Sequence, residues 1–378
     1  MAKFHPFAIE RLIAKWENVV DYDLSESGVL PATLRELVDD PAQLDELLDV
    51  RLGYPQTNGI DELRELIAAL YPGAASDNVL VTVGAAEANY LALSTVVQPG
   101  DELVVMLPNY MQIWGIAQNR GLRPTPFHLR EEHGWKPDLD ELAEVVTDRT
   151  KLIAICNPSN PTGYILTAGE MDAIVAVAAR VGAWLLADEV YSGTELDTDE
   201  QTPTFYGRYD RVLAMNSLSK AYGLPGLRIG WTVAPAQAVE DFWARHDYTT
   251  IGTTMLGNRL AARALSPAVR PRLIARARGL VRNGLPVLRR WLERRAGDFE
   301  LVPPQASPIA FVRYHLGINS TALVERCIRE QSVLMVPGDH FGMDGHLRLR
   351  HGLPPDYLQA GLDRFGAVLD GLGGAPGS

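Results

Sequence analysis

Short apolar runs alternate with helical stretches over much of the chain. Helical periodicity is clear in stretches such as Asp61–Leu70 and Glu87–Val97. The apolar runs that predict buried strands are Glu102–Leu107, Lys151–Cys156, Trp184–Ala187 and Arg211–Met215. Continuous apolar runs separated by helices are typical of a mostly parallel sheet with helical crossovers. We therefore predict a large α/β domain with an open sheet over residues 42–268.

The rest of the chain predicts a smaller α+β domain. An Arg-rich helix is predicted over residues 267–295, and Gly284-Leu-Pro286 could break it. The elements predicted after it are strands Pro308–Tyr314, Ser332–Pro337 and His346–Arg350, and helices Asn319–Gln331 and Asp356–Leu369. With a short amphipathic helix over residues 7–18, this domain comprises residues 1–41 and 269–370. The Gly-rich end, residues 371–378, predicts a disordered tail.

Composition narrows the functional classes. The 378 residues carry a formal net charge of -12, and an acidic surface argues against nucleic acid as a partner. No apolar run approaches the roughly 20 residues that span a bilayer, so no membrane association is expected. The start of the chain has no apolar signal region, and the two cysteines suggest no disulfide framework. A reducing cytoplasm is the expected location.

The segment from Ser217 to Trp231 carries the strongest chemical signal. Lys220 follows a predicted strand, where its amine can form a Schiff base with an aldehyde cofactor. Ser217 and Arg228 add a hydroxyl donor and a cation that suit a phosphate dianion. A Ser-x-Ser-Lys string alone is common by chance. Arg228 and the glycines around it favour the cofactor-binding interpretation over an ordinary surface lysine.

Two further segments place polar residues directly after predicted strands. Asp188 ends one strand, where its carboxylate could hold a pyridine nitrogen protonated, and Tyr191 follows within reach of a ring oxygen. An aspartate that caps a helix is the commoner alternative when that segment is taken alone. In Asn157-Pro-Ser-Asn-Pro-Thr-Gly163, Asn160 could donate to the same ring oxygen, and either Asn–Pro bond could be cis.

A strand–Gly–helix junction at Gly84 predicts an anion site. Free N–H groups at Ala85 and Ala86 would bind phosphate at the start of the helix, although any such junction offers them. Tyr110 ends another strand, where its ring could stack on a planar cofactor or belong to the core. The histidines lack metal-ligand spacing, so no metal site is predicted.

Together these motifs resemble the class I/II aminotransferases of the aspartate aminotransferase superfamily, the fold-type I enzymes of pyridoxal 5′-phosphate (PLP). The similarity extends over roughly residues 24 to 352, in the order of the family's motifs. It implies a large, mostly parallel sheet domain with a smaller α+β domain, PLP as cofactor, and an amino acid substrate. It also implies a homodimer with shared active sites.

The resemblance implies a role for each matching residue. Lys220 is the Schiff-base lysine and the acid/base group, and Asp188 and Tyr191 complete the catalytic set. The residues implied for cofactor binding are Tyr54 (from the neighbouring subunit), Gly84, Ala85, Ala86, Tyr110, Asn160, Asp188, Tyr191, Ser217, Lys220 and Arg228. Those implied for the substrate are Gly28, Asn160 and Arg348, of which Arg348 clamps the α-carboxylate.

Three positions depart from the family's pattern. Ala86 stands where a hydroxyl is frequent, Glu26 lies in an unusual loop near the substrate mouth, and Arg350 stands where a small residue is usual. The latter two changes would suit a polar or cationic amino acid, or a reaction other than transamination.

Transamination is the leading hypothesis for the reaction. In it Lys220 removes the Cα proton, and the amino group passes to the cofactor and then to a keto acid. C–S β-elimination and decarboxylation remain alternatives, because related sites break different bonds with the same cofactor. A non-catalytic PLP-fold domain of a regulator is a third interpretation, which the acidic charge and the filled catalytic positions disfavour.

Overall fold

A computed structural model of the protein describes residues 4–373. Its strands are β1 Tyr22–Asp23, β2 Val79–Thr82, β3 Glu102–Leu107, β4 Thr125–Arg130, β5 Lys136–Pro137, β6 Thr150–Cys156, β7 Trp184–Asp188, β8 Val212–Ser217, β9 Gly230–Val233, β10 Phe299–Leu301, β11 Ile309–Tyr314, β12 Val333–Leu334, β13 Val336–Pro337 and β14 His346–Arg350. Its α-helices are α1 Ala8–Trp16, α2 Leu34–Leu37, α3 Pro41–Leu48, α4 Asp61–Ala68, α5 Gly84–Val96, α6 Gln112–Asn119, α7 Leu139–Val145, α8 Ala168–Val181, α9 Ala236–His246, α10 Met255–Leu265, α11 Arg270–Glu293, α12 Ser320–Gln331 and α13 Pro355–Gly373.

The large sheet has eight strands in the order β2-β9-β8-β7-β6-β3-β4-β5. The central strands pair in parallel, from β4 through β3, β6 and β7 to β8. Antiparallel pairing occurs at both edges, where β9 pairs with β2 and β8, and β5 pairs with β4. The central strands are almost wholly buried, as uninterrupted apolar runs predict. The predicted α/β fold with a large, mostly parallel sheet is therefore confirmed.

The connecting helices have local signals at their ends. In α8, Thr167 and Glu170 form a capping box, in which each side chain binds the other residue's backbone N–H. The same helix ends at Gly182, whose φ of 69° is the left-handed conformation that glycine adopts without a steric cost. Such caps fix where each helix begins and ends. They thereby fix the positions of the loops at the sheet's edge.

A second, four-stranded sheet has the order β10-β11-β14-β13, with antiparallel pairing throughout. Helices α11, α12 and α13 contribute to its core. The proposed break in the Arg-rich helix is wrong, because α11 continues through Pro286. Burial of Leu285, Val287 and Leu288 on either side stabilises the helix, which offsets the one backbone hydrogen bond that proline removes.

Two other expectations need correction. The strand predicted over Ser332–Pro337 is two short strands, because β12 pairs with β1 and β13 pairs with β14 in a different sheet. Helix α13 reaches Gly373, so residues 371–373 of the predicted tail are helical, and residues 374–378 lie outside the described residues. The predicted domain boundaries stay a prediction. Within residues 4–373, no helix is long and apolar enough to cross a membrane.

Candidate active site

A cavity of about 430 Å³ opens at the carboxyl ends of the central parallel strands. Open α/β sheets bind ligands at this edge, because the loops that follow neighbouring strands meet there. Nine of the sequence-predicted site residues line the cavity: Ala85, Ala86, Tyr110, Asn160, Asp188, Tyr191, Ser217, Lys220 and Arg228. Gly28, Tyr54, Gly84 and Arg348 are not among its lining residues. The cavity thus collects side chains that are up to 143 positions apart in the sequence, from Ala85 to Arg228.

Lys220 follows β8 and extends its amine into the cavity. Its Nζ lies 2.8 Å from Oε1 of Glu26, and the two side chains are 23% and 20% exposed. Burial by itself would raise the pKa of Glu26, but the charges of Lys220 and Arg350 lower it to about 2. Glu26 is therefore a carboxylate, and it holds the lysine amine at the centre of the site.

Asp188 is the last residue of β7, and its side chain lies in the cavity. Burial raises the pKa of its carboxyl to about 6, and a hydrogen bond from the Val190 N–H limits the rise. The neighbouring Glu189 accepts hydrogen bonds from the hydroxyl and N–H of a different loop, at Thr204 and Phe205. Successive residues at a strand end face opposite sides, so Asp188 alone is available to a ligand.

Tyr191, Asn160 and Arg348 form a buried chain of hydrogen bonds. The Asn160 amide donates to the Tyr191 hydroxyl at 3.2 Å, and Arg348 Nη1 donates to Asn160 Oδ1 at 3.2 Å. Arg348 Nη2 donates to the Ser25 carbonyl at 2.7 Å, whereas its Nε has no partner among the described residues. Both Asn–Pro bonds around Asn160 are cis. A guanidinium that is 1% exposed and has a free N–H group can donate to a carboxylate and bind it.

The first turn of α5 meets Arg228 at the other end of the cavity. Gly84 has φ of 72°, and a Cβ there would lie 2.5 Å from Arg228 Nη2. A Cβ at Gly230 would lie 2.4 Å from the Ala85 nitrogen. Glycine at position 84 therefore lets Arg228 approach the N-terminus of a 13-residue helix, and glycine at position 230 lets β9 lie against the same turn. Free N–H groups and a cation at one point form a cradle for an anion.

The side chains present fit PLP. The Gly84–Arg228 cradle suits its phosphate, and Ser219 donates its N–H to Ser217 Oγ at 3.2 Å, which leaves the Ser217 hydroxyl proton for the same anion. The buried carboxylate of Asp188 suits a protonated ring nitrogen, and the Lys220 amine suits an aldehyde. Each of these groups lines the cavity or borders it.

Tyr110 packs against the N-terminal segment of the chain. Its ring centroid lies 4.9 Å from that of Phe7, and its hydroxyl donates to Glu10 Oε1 at 2.6 Å. Burial and the Glu10 carboxylate raise the pKa of Tyr110. Tyr54 is 87% exposed and lies outside the cavity. A role for Tyr54 in a neighbouring subunit stays a prediction.

The lining residues that were not predicted for the cavity include Glu10, Glu17, Asp23 and Asn89. Asn89 lies on α5 one turn beyond Ala85, so helical spacing could have indicated it. The three acids belong to a segment that reaches the cavity only through tertiary packing, such as the contact of Phe7 with Tyr110. No local pattern identifies such residues.

Comparison with known proteins gives the family. The family model for aminotransferase class I and II matches residues 18–365. A capreomycidine synthase of Streptomyces vinaceus is 36% identical over 93% of this chain and 90% of its own. An arginine–pyruvate transaminase of Pseudomonas aeruginosa is 30% identical over 82% of this chain and 80% of its own. A solved PLP-dependent aminotransferase from Streptococcus suis has a TM-score of 0.92 and 30% identity, with 100% of both chains covered.

The chain belongs to the class I and II aminotransferase family. Its fold is that of the fold-type I PLP enzymes, and PLP is its cofactor. The sequence-based predictions of the family, the cofactor and a PLP-dependent aminotransferase are confirmed.

Proposed function

We propose that the enzyme transfers the amino group of an α-amino acid to a keto acid, with Lys220 as the residue that binds the cofactor and moves the Cα proton. The observation that carries this proposal is the single cavity that contains Lys220, Asp188, Asn160 and Tyr191. A transaminase needs an amine that can both hold an aldehyde and act as a base, and Lys220 is the lysine that lines the cavity.

Each cavity residue has one task in this proposal. PLP, when bound, supplies an electron sink for the negative charge that develops at the substrate Cα. Asp188 keeps a proton on the ring nitrogen, while Asn160 and Tyr191 donate to the ring oxygen. Arg228, Ser217 and the N–H groups of Ala85 and Ala86 hold the phosphate.

Arg348 binds the α-carboxylate of the substrate in this proposal. Its unpartnered Nε supports this role, and its Nη1 donates to Asn160, one of the two proposed ring-oxygen donors. Gly28 contributes through its backbone. Its N–H binds Glu26 and its carbonyl accepts from Arg350 Nε at 2.8 Å, which fixes the loop between these two side chains.

A donor and acceptor screen of the purified holoenzyme tests the reaction. The donors include arginine and the acceptors include pyruvate, because a relative is named for that pair. We expect keto acid from the donor to form only when an acceptor keto acid is present. Keto acid and free ammonia without an acceptor would indicate β-elimination, and carbon dioxide would indicate decarboxylation. Either result would overturn the transaminase proposal.

We further propose a cytoplasmic homodimer. Exposed apolar side chains support the dimer, with Leu48, Leu52 and Tyr54 at 75%, 79% and 87% exposure, and Tyr248 at 92%. Trp243 donates to Thr57, so the segments that carry these side chains adjoin. Exposed apolar side chains on neighbouring segments are typical of interfaces. Free, buried Cys156 and Cys327 suit a reducing compartment, which cell fractionation would test.

A further inference from the structure

The N-terminal segment brings four carboxylates to one wall of the cavity. They are Glu10 on α1, Glu17 directly after α1, Asp23 in β1 and Glu26 in the loop that follows β1. None of them is needed to hold the cofactor, because Asp188 already provides the anion for the ring. This acidic wall therefore faces the part of the cavity that is left for substrate.

Few cations are available to neutralise the acidic wall. Arg350 lies 3.4 Å from Glu26 and 3.6 Å from Asp23, and Lys220 lies 2.8 Å from Glu26. A Lys220 amine that bonds to the cofactor would have fewer N–H groups to donate to Glu26. Arg228 belongs to the phosphate cradle at the other end. Besides Lys220, Arg350 is the one cation that lines the described cavity and contacts the wall.

The surroundings of Glu17 show that the acidic wall carries an excess of negative charge. No hydrogen bond or ion pair from the described residues reaches its carboxylate. Partial burial, followed by repulsion from Asp23, Glu26 and Glu10, raises its pKa. Grouped carboxylates that lack counter-charges destabilise one another, and a bound cation would relieve that repulsion.

Two buried arginines beside the acidic wall indicate that it belongs to a substrate site and is not a cluster of acids on the surface. Arg348 is 1% exposed and Arg350 is 5% exposed. Arg348 Nε has no hydrogen-bond partner among the described residues, whereas Arg350 Nη2 lies 3.4 Å from Glu26 Oε2. Both side chains project from the same face of β14, since they are two residues apart. An unpartnered, buried guanidinium N–H points to a carboxylate ligand. A ligand with a carboxylate at one end and a cation at the other satisfies both sets of groups.

We infer that the substrate is an amino acid whose side chain ends in a guanidinium or ammonium group, which the acidic wall binds. The inference rests on the proposed aminotransferase function and names its substrate class. Arg348 takes the α-carboxylate, and Glu17, Asp23 and Glu26 surround the cationic end. An acidic side chain is repelled by this wall, and a neutral one leaves Glu17 without a counter-charge. Within residues 4–373, no group of His, Cys, Asp or Glu side chains forms a metal site, so no metal ion is expected to bind the carboxylates of the acidic wall.

Calorimetric titration of the holoenzyme with two unreactive analogues tests the inference. 5-Guanidinopentanoate carries the carboxylate and the cation, hexanoate carries the carboxylate alone, and neither has an α-amino group that could react. We expect the guanidino compound to bind at least about tenfold more tightly, and the preference to shrink as sodium chloride rises, because salt screens exposed charges. Equal affinities, or a preference that salt does not change, would overturn the inference.

Glu17→Gln is the decisive variant, because Glu17 touches neither Lys220 nor the cofactor cradle in any hydrogen bond or ion pair of the described residues. We expect it to weaken binding of 5-guanidinopentanoate roughly three- to tenfold and to leave hexanoate unchanged. Glu65→Gln, on the exposed face of α4, is the matched control and should change neither affinity. The same loss for both analogues would overturn the inference, as would no loss for either.

Cofactor content separates this inference from the proposed function. A holoenzyme that retains PLP and converts neutral amino acids as readily as cationic ones would refute the substrate class and leave the aminotransferase proposal intact. A protein that binds the guanidino compound selectively but converts no amino acid would support the acidic wall and refute the reaction.

Discussion

Asp188 and Glu189 are adjacent in the chain, but their carboxylates have different surroundings. Glu189 binds the loop at Thr204 and Phe205, whereas Asp188 lies in the cavity with a pKa raised to about 6. The folded protein therefore holds the Asp188 proton more tightly than the unfolded chain does. Keeping this carboxylate ionised at pH 7 without a cofactor costs roughly 3 kcal/mol of folding stability.

Asp188→Asn should consequently have opposite effects on stability and on catalysis. We expect the cofactor-free variant to be more stable than the wild type at pH 7 by up to about 3 kcal/mol. The difference should disappear as the pH falls from about 6 to 4, because the wild-type carboxyl then becomes neutral. The kcat of the holoenzyme should fall roughly 10²- to 10³-fold, because the ring nitrogen loses its anion. Urea unfolding at several pH values and steady-state kinetics measure the two effects.

The exposed Asp148→Asn is the control for this prediction, and neither stability nor kcat should change in it. An Asp188→Asn variant with unchanged kcat would contradict the assignment of Asp188 to the cofactor ring.

Helix α5 combines an anion cradle at its first turn with a buried carboxylate just behind it. Glu87 accepts hydrogen bonds from the Val83 N–H and the Thr250 hydroxyl, and it lies 3.1 Å from the ring of His246. Burial by itself would raise the pKa of Glu87, but the His246 and Thr249 hydrogen bonds lower it to about 2. This network connects α9 to the first turn of α5, and so stabilises the turn that forms the anion cradle.

Glu87→Gln should destabilise the protein by roughly 3 kcal/mol at pH 7, because the favourable charge is lost. A carboxyl with a depressed pKa contributes stability above about pH 4.5 and loses it as the pH falls towards 2. The gap between variant and wild type should therefore narrow over that interval. Urea midpoints of both proteins between pH 7 and pH 3 measure it, and a gap that does not depend on pH would contradict the charged network.

Gly84→Ala tests the cradle itself. The new Cβ would meet Arg228 Nη2 at 2.5 Å, in a backbone conformation that disfavours alanine, so we expect cofactor affinity to fall at least about tenfold. Gly279→Ala is the matched control, because its Cβ meets nothing within 4 Å. In the interior of α11 it should stabilise the protein by about 1 kcal/mol without changing cofactor affinity. Equal affinities of both variants for PLP would contradict the cradle.

Sequence patterns located the elements that carry strong local signals. The bounds of β3 and β14 coincide with the prediction, because an apolar run and a short alternating strand are both visible locally. The split of residues 332–337 was missed, since it depends on pairing with β1 and β14, far away in the chain. The acidic residues Glu10, Glu17 and Asp23 were missed for the same reason. Their place at the cavity depends on a contact between Phe7 and Tyr110.

At the scale of the whole molecule, the exposed apolar side chains predict assembly. In solution the 41.5-kDa chain should have twice its own mass by light scattering.

If Tyr54 reaches the phosphate of the neighbouring subunit, Tyr54→Phe should weaken PLP binding roughly threefold to tenfold, because one neutral hydrogen bond is lost. Tyr248→Phe is the control, with an equally exposed ring and no expected loss. A monomeric holoenzyme with full activity would contradict the shared site.

The attachment of PLP to Lys220 is the central claim, and chemical trapping tests it most directly. Borohydride reduction of the holoenzyme, followed by proteolysis and peptide mass spectrometry, should place the reduced cofactor on the peptide that contains Lys220. Lys220→Ala should yield no labelled peptide, although PLP can still bind non-covalently in the cavity. Label on any of the other four lysines, or undiminished labelling of Lys220→Ala, would contradict the account.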